Sequence, residues 1–84
     1  MKEKSILLTG DFFALEGWRL SRVLVLLGPP TSAGMKHLEV GVTQYRWDDI
    51  DADYVVFADV LNGKVLRVNL VEKKKWPGWK GHHL

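Results

Sequence analysis

Two runs of β-branched and aromatic residues, separated by Asn62-Gly63, dominate the pattern of apolar positions along the chain. The runs cover Tyr54–Leu61 and Lys64–Glu72. Asn-Gly is the preferred pair for a type I′ turn, because both central residues of that turn need a positive φ. The pattern therefore predicts an antiparallel β-hairpin.

Both faces of this hairpin are expected to be apolar. Counting outward from the turn, the side chains expected on the core face are those of Val55, Phe57, Leu66, Val68 and Leu70. The second face carries, among others, Tyr54, Val56, Val65 and Val71. A solvated sheet face normally alternates to polar residues, so we expect something to cover this second face. A barrel wall, a second sheet, the C-terminal segment or a partner chain would each do so.

Upstream of the hairpin, the chain alternates between apolar and polar residues. Leu38, Val40 and Val42 have the period of a half-buried strand, which continues to residue 47 after a change of phase near Gln44. A β-bulge at that point would explain the change. Residues 28–34 contain tandem proline between two glycines and are predicted to be a loop.

Residues 11–27 fit two structures. Phe13, Leu20, Leu24 and Leu27 would share one face of a helix, whereas Gly17 and the valine-rich end favour a strand that begins at residue 18. With the strand interpretation there are about five strands, at 5–9, 18–27, 36–47, 54–61 and 64–72. The predicted fold is all-β, a small antiparallel barrel or barrel-like sheet; the alternative is α+β with a helix at 12–27.

Composition limits the classes of protein to consider. A chain of 84 residues holds one domain, here predicted as a β domain over 1–72 with residues 73–84 packed on it. Without cysteine there is no disulfide and no thiolate metal site, which fits a reducing compartment, and we expect a cytoplasmic protein. The apolar runs are too short for a membrane span or a secretory signal.

The C-terminal segment interleaves cations with indoles. Lysines neutralise phosphates and aromatic rings stack on bases, which is the combination found in proteins that bind single strands. The residues predicted to contact single-stranded nucleic acid, with little sequence specificity, are Lys73, Lys74, Lys75, Trp76, Trp79 and Lys80, together with Arg67. A structural interpretation competes with this one: the two tryptophans would fold back onto the hairpin.

A second class of function is protein–protein interaction, as a subunit, assembly factor or small inhibitor of a larger complex. An unpaired hairpin edge can accept a further strand, and an uncovered apolar face adds hydrophobic burial. The residues that would contact a protein partner, or a second copy of the chain, are Tyr54, Val56, Val65 and Val71.

Catalysis and cofactor binding are not expected. The chain has no glycine-rich phosphate loop, no nucleophile elbow and no zinc-binding helix motif. The acidic stretch 48–53 lacks the glycine and the terminal glutamate of a calcium loop, and His82-His83 alone does not make a metal site. The sequence therefore predicts a small binding module without a metal or cofactor.

Overall fold

The computed structural model describes residues 10–75, which contain four strands and one α-helix. In chain order these are a 3₁₀ helix at Phe12–Leu15, α1 at Leu20–Leu27, β1 at Ser32–Met35, β2 at Val42–Trp47, β3 at Tyr54–Leu61, β4 at Lys64–Glu72 and a second 3₁₀ helix at Lys73–Lys75. The strands form one antiparallel sheet in the order β1-β2-β3-β4. The predicted strand at 5–9 lies outside the described residues.

The predicted hairpin is confirmed, and its strands have the predicted bounds. Leu61 pairs with Lys64 across the turn. Asn62 has a φ of 53° and Gly63 a φ of 78°, so both central residues adopt the positive φ that a type I′ turn requires.

A β-bulge in β4 changes which residues share a face. Val60 pairs with Val65 but Asp59 pairs with Arg67, so Leu66 is the extra residue of the bulge. Counting from the turn without a bulge would place Phe57 opposite Val68, whereas in the structure it lies opposite Asn69. Side chains that the sequence placed on the second face, such as Val56, form the core instead.

The core lies between the sheet and the helical segment that precedes it. Its buried members are Phe12, Leu15, Val23, Trp47, Val56, Ala58, Val60, Val65 and Val68. We call the sheet face that carries Trp47 and Val56 the inner face, and the opposite one the outer face. The first 3₁₀ helix and α1 cover the inner face, and the four described strands form an open sheet. The prediction of a mostly antiparallel β fold is therefore confirmed, whereas its closed form, a barrel of about five strands, is wrong.

The strand predicted at 18–27 is a helix from residue 20 onward. Leu20, Val23, Leu24 and Leu27 have the i, i+3, i+4, i+7 spacing of a helical face, and all pack against the core. The α+β alternative was therefore nearer, although its helix begins eight residues later than residue 12, after the separate 3₁₀ helix. None of the helices described is long and apolar enough to cross a membrane.

The first half of the strand predicted at 36–47 is a turn. Only Val42–Trp47 pairs with β3, and that register runs without a break, so no bulge occurs near Gln44. The segment predicted as a loop at 28–34 contains the start of β1, which pairs with β2 from Ser32 to Met35. Residues 36–41 connect these two strands and contribute several residues to the site described next.

Candidate functional site

A buried carboxylate, Asp59, organises the outer face of the sheet. Its side chain is fully buried and accepts hydrogen bonds from Lys36 Nζ at 3.0 Å, from Gln44 Nε2 at 3.0 Å and from Arg67 Nη1. Strand register causes this convergence, since Gln44 and Arg67 are the two cross-strand neighbours of Asp59. A buried charge is tolerated only when it is paired and hydrogen-bonded, and Asp59 satisfies both conditions.

Glu39 links the turn at 36–41 to the same cluster. Arg67 donates to both of its carboxylate oxygens, from Nη1 to Oε1 at 2.9 Å and from Nη2 to Oε2 at 2.7 Å, and Lys36 Nζ lies 3.2 Å from Oε1. The hydrogen bonds from Arg67 hold the pKa of Glu39 at about 2, and Lys36 adds to this effect. The hydrogen bond to Asp59 raises the pKa of Lys36, so both charges persist at neutral pH. We call Lys36, Glu39, Asp59 and Arg67 the charge cluster.

The end of β1 and the turn that follows it expose apolar side chains. Met35 is 76% exposed, Leu38 96% and Val40 97%, and we call these three residues the apolar tip. Single exposed apolar residues are common on protein surfaces, but three within six positions make this segment a candidate contact surface. The ion pairs of Lys36 and Glu39 fix the turn that carries the apolar tip.

The two edges of the sheet differ in protection. The β4 edge is covered at its start, where Gly17 N–H donates to the Val65 carbonyl at 2.8 Å and Val65 N–H donates to the Trp18 carbonyl at 2.8 Å. Farther along, Val68 N–H donates to Glu16 Oε2 at 3.0 Å. One edge of the sheet is thus partly closed by the chain itself.

The β1 edge has no such cover from residues 10–75. Its four residues are all exposed, and they include neither a charge nor a proline, the usual protection of an edge strand. Lys36 N–H donates to the Val42 carbonyl, so alternation directs Gly34 and Ser32 toward β2. The N–H and C=O groups of Ala33 and Met35 therefore point away from the sheet.

A groove of about 500 Å³ runs beside β1 on the outer face. Phe57, Gln44 and Arg46 line it from the sheet, Met35 lines it from the end of β1, and Leu38 lines it from the turn at 36–41. Gly34 also lines the groove, and a Cβ at this position would meet nothing within 4 Å. The groove therefore adjoins both the free edge and the apolar tip.

The cations of the outer face that lie beside the groove and the charge cluster are paired with carboxylates. Arg46 Nε lies 2.9 Å from Asp48 Oδ1, and Lys36 and Arg67 contact the carboxylates of the charge cluster. Counterion release from a nucleic acid requires cations that are available to phosphates. The groove and its surroundings therefore favour a partner without high charge.

The structure places only part of the predicted nucleic-acid site. Lys73–Lys75 follow β4 as the second 3₁₀ helix; Lys74 and Lys75 are exposed, and Lys75 Nζ lies 3.8 Å from Glu72 Oε1. Arg67 belongs to the charge cluster, about 20 Å along the strand from Lys73, so it does not join the lysines. Trp76, Trp79 and Lys80 lie outside the described residues.

The residues predicted to contact a protein partner are mostly covered by the chain itself. Val56 is fully buried and Val65 is 3% exposed, both beneath the helical segment, while Tyr54 and Val71 are half-buried. The sequence missed the apolar tip because Leu38, Val40 and Val42 alternate as a strand does, yet only Val42 is buried.

The acidic stretch forms a turn. Asp51 Oδ2 accepts hydrogen bonds from the N–H groups of Asp53 at 2.9 Å and Tyr54 at 3.1 Å, which lead the chain into β3. Across residues 10–75, no group of three acidic or histidine side chains is arranged to hold a metal ion. His82-His83 lies outside this range.

Comparisons of the chain with protein-family models, with curated proteins and with solved structures found no match. The functional argument therefore rests on three features of the structure: the unprotected β1 edge, the apolar tip and the groove between them.

Proposed function

We propose that this chain is a non-catalytic protein-binding module of the cytoplasm, which takes up an extended segment of a partner along β1. The contrast between the two sheet edges carries this proposal. Residues 10–75 close the start of the β4 edge with their own backbone and with Glu16, but within this described range nothing covers the exposed β1 edge. Strand addition needs only such an edge, because main-chain hydrogen bonds supply affinity without regard to sequence.

The apolar tip supplies the hydrophobic part of the contact. Full burial of a leucine, valine or methionine side chain contributes about 1.5–3 kcal/mol. Leu38 and Val40 are almost completely exposed, so nearly all of this contribution is available to a partner. The charge cluster holds the turn in place before binding, which lowers the conformational entropy lost on association.

The nucleic-acid hypothesis remains a prediction that rests on different residues. Lys74 and Lys75 are exposed beyond the end of β4, where Lys75 Nζ also lies 3.8 Å from Glu72 Oε1. The paired cations of the outer face do not extend this site toward the groove. Protein binding at β1 and nucleic-acid binding at the lysines can therefore be tested separately.

Site-specific photo-crosslinking tests the protein-binding proposal. The full-length chain, carrying benzoylphenylalanine at position 38, is irradiated in the cells that produce it. Val25 offers the matched control position, since it is 87% exposed but lies on α1. We expect a discrete heavier species from position 38 and none from position 25.

A captured protein counts as a partner only if it binds after purification and if Leu38→Asp weakens that binding at least about tenfold. The matched control, Val25→Asp, should leave the affinity unchanged. Equal crosslinking from positions 25 and 38, or no crosslinking from position 38, would overturn the proposal.

A further inference from the structure

We infer that the segment bound along β1 is β1 of a second copy of this chain, paired antiparallel about a two-fold axis at Gly34. This inference rests on the proposed function and names the partner of the same edge. The pairing would join two four-stranded sheets into one continuous sheet.

The hydrogen-bonding pattern of β1 fits this register. The outward groups belong to Ala33 and Met35, which lie symmetrically on either side of Gly34. With Gly34 opposite its counterpart, Ala33 of each copy faces Met35 of the other, and every outward N–H donates to an outward C=O. If the register shifted by two residues, Ala33 or Met35 would have to pair with a residue beyond the end of β1.

The side chains are complementary in the same register. Ala33 pairs with Tyr45 and Met35 with Thr43 within the sheet, so Ala33 and Met35 lie on one face. The pairing places the long Met35 side chain of one copy beside the small Ala33 of the other. Gly34 carries no side chain at the axis, where two side chains would otherwise meet on the outer face.

The charges near the axis do not oppose the pairing. Lys36 is the nearest cation and would lie opposite Ser32 of the other copy. Its charge is offset within its own chain by Asp59 at 3.0 Å and Glu39 at 3.2 Å. The association should therefore depend little on salt, unlike binding to a polyanion.

The length of β1 sets the expected strength. A pair of four-residue strands buries less than the roughly 1,200 Å² of a stable standard-size interface, even with Met35 added. We therefore expect a concentration-dependent equilibrium between monomer and dimer, with a Kd in the range of about 10 μM to 1 mM.

Sedimentation velocity from about 10 μM to 1 mM, at low and high salt, measures this equilibrium. Ala33→Pro removes an outward N–H group without removing a hydrogen bond between β1 and β2, because Ala33 donates away from the sheet. We expect this variant to dimerise at least about tenfold more weakly than wild type, whereas Ala33→Val, which keeps the N–H group, should dimerise as wild type does.

Met35→Glu provides a second variant in case proline disturbs β1, and it should weaken the dimer to a similar extent. Amide hydrogen exchange gives an independent measure of the register. Protection of the Ala33 and Met35 amides should rise with protein concentration, while the Gly34 amide, bonded to β2, should not change.

The inference is wrong if the wild-type protein stays monomeric at about 1 mM. It is also wrong if Ala33→Pro and Met35→Glu both dimerise as strongly as the wild type. The proposed function survives that result if position 38 still crosslinks a different protein that binds after purification. If position 38 also fails to crosslink, both the inference and the proposed function are wrong.

Discussion

Replacing Asp59 with asparagine tests whether the buried carboxylate holds the outer face together. The substitution preserves the shape of the side chain but removes the charge that Lys36 and Arg67 neutralise. It also replaces one acceptor oxygen with an amide donor in a fully buried position, where Gln44 already donates. Lys36 and Arg67 would then lose the negative charge of their shared acceptor.

The expected magnitude follows from these contacts. A hydrogen bond to a charged group contributes about 1.5–3 kcal/mol, and removing one partner of a buried ion pair costs about 3–5 kcal/mol. Lys36 and Arg67 are about one third exposed, so water screens part of the loss, and we expect the free energy of unfolding to fall by about 3 kcal/mol. For a domain of this size, that corresponds to a melting temperature lower by about 12 °C or more.

Urea unfolding measures the change. Trp47 is 2% exposed and lies in the core, so its fluorescence reports loss of the native packing. Asp49→Asn is the matched control, because Asp49 is exposed in the acidic turn, and it should change the free energy of unfolding by less than about 0.5 kcal/mol. A loss below about 1 kcal/mol for Asp59→Asn would refute the reasoning, since it would mean that the carboxylate contributes no more than a surface charge.

Three further predictions concern other parts of the chain. Because the folded-state pKa of Glu39 is lowered to about 2, its contribution to stability should be complete above its unfolded pKa near 4.5 and be lost as pH falls toward 2. In urea unfolding, the free energy of unfolding of Glu39→Gln should therefore change less over this pH range than that of the wild type. Val56→Glu should unfold the domain by circular dichroism, since this side chain is fully buried. If Lys73–Lys75 contact phosphates, changing all three to alanine should abolish salt-dependent binding of a single-stranded oligonucleotide in fluorescence anisotropy; unchanged binding would end the nucleic-acid hypothesis for these residues.

The hairpin could be predicted from sequence because its determinants are local. Asn62-Gly63 sets the turn, and the β-branched residues beside it define both strands, so no distant contact is needed to locate them. The faces could not be predicted, because the bulge at Leu66 brings Val65 and Val68 to the same face of β4 and because the two faces of β3 are both apolar. The residues around Leu66 are ordinary strand residues, so the sequence gives no sign of the bulge.

The remaining elements depend on tertiary contacts. Residues 20–27 contain the β-branched Val23 and Val25, which favour a strand, yet the leucines form a helical face that the open sheet can bury. The small residues of β1 have little strand propensity, and the strand exists because it pairs with β2. Periodicity within either segment could not reveal the surface against which it packs.

The charge cluster explains why the candidate site was hidden in the sequence. Lys36, Glu39, Asp59 and Arg67 are distant along the chain, and charged residues without a motif are normally interpreted as solvated. In the fold they form a buried and half-buried network, and two of its members, Lys36 and Glu39, belong to the same turn as Leu38 and Val40. An unanchored turn could bring these two side chains closer to the sheet and remove them from water. The ion pairs instead fix the turn with Leu38 and Val40 in solvent, where they are available to the partner that we propose.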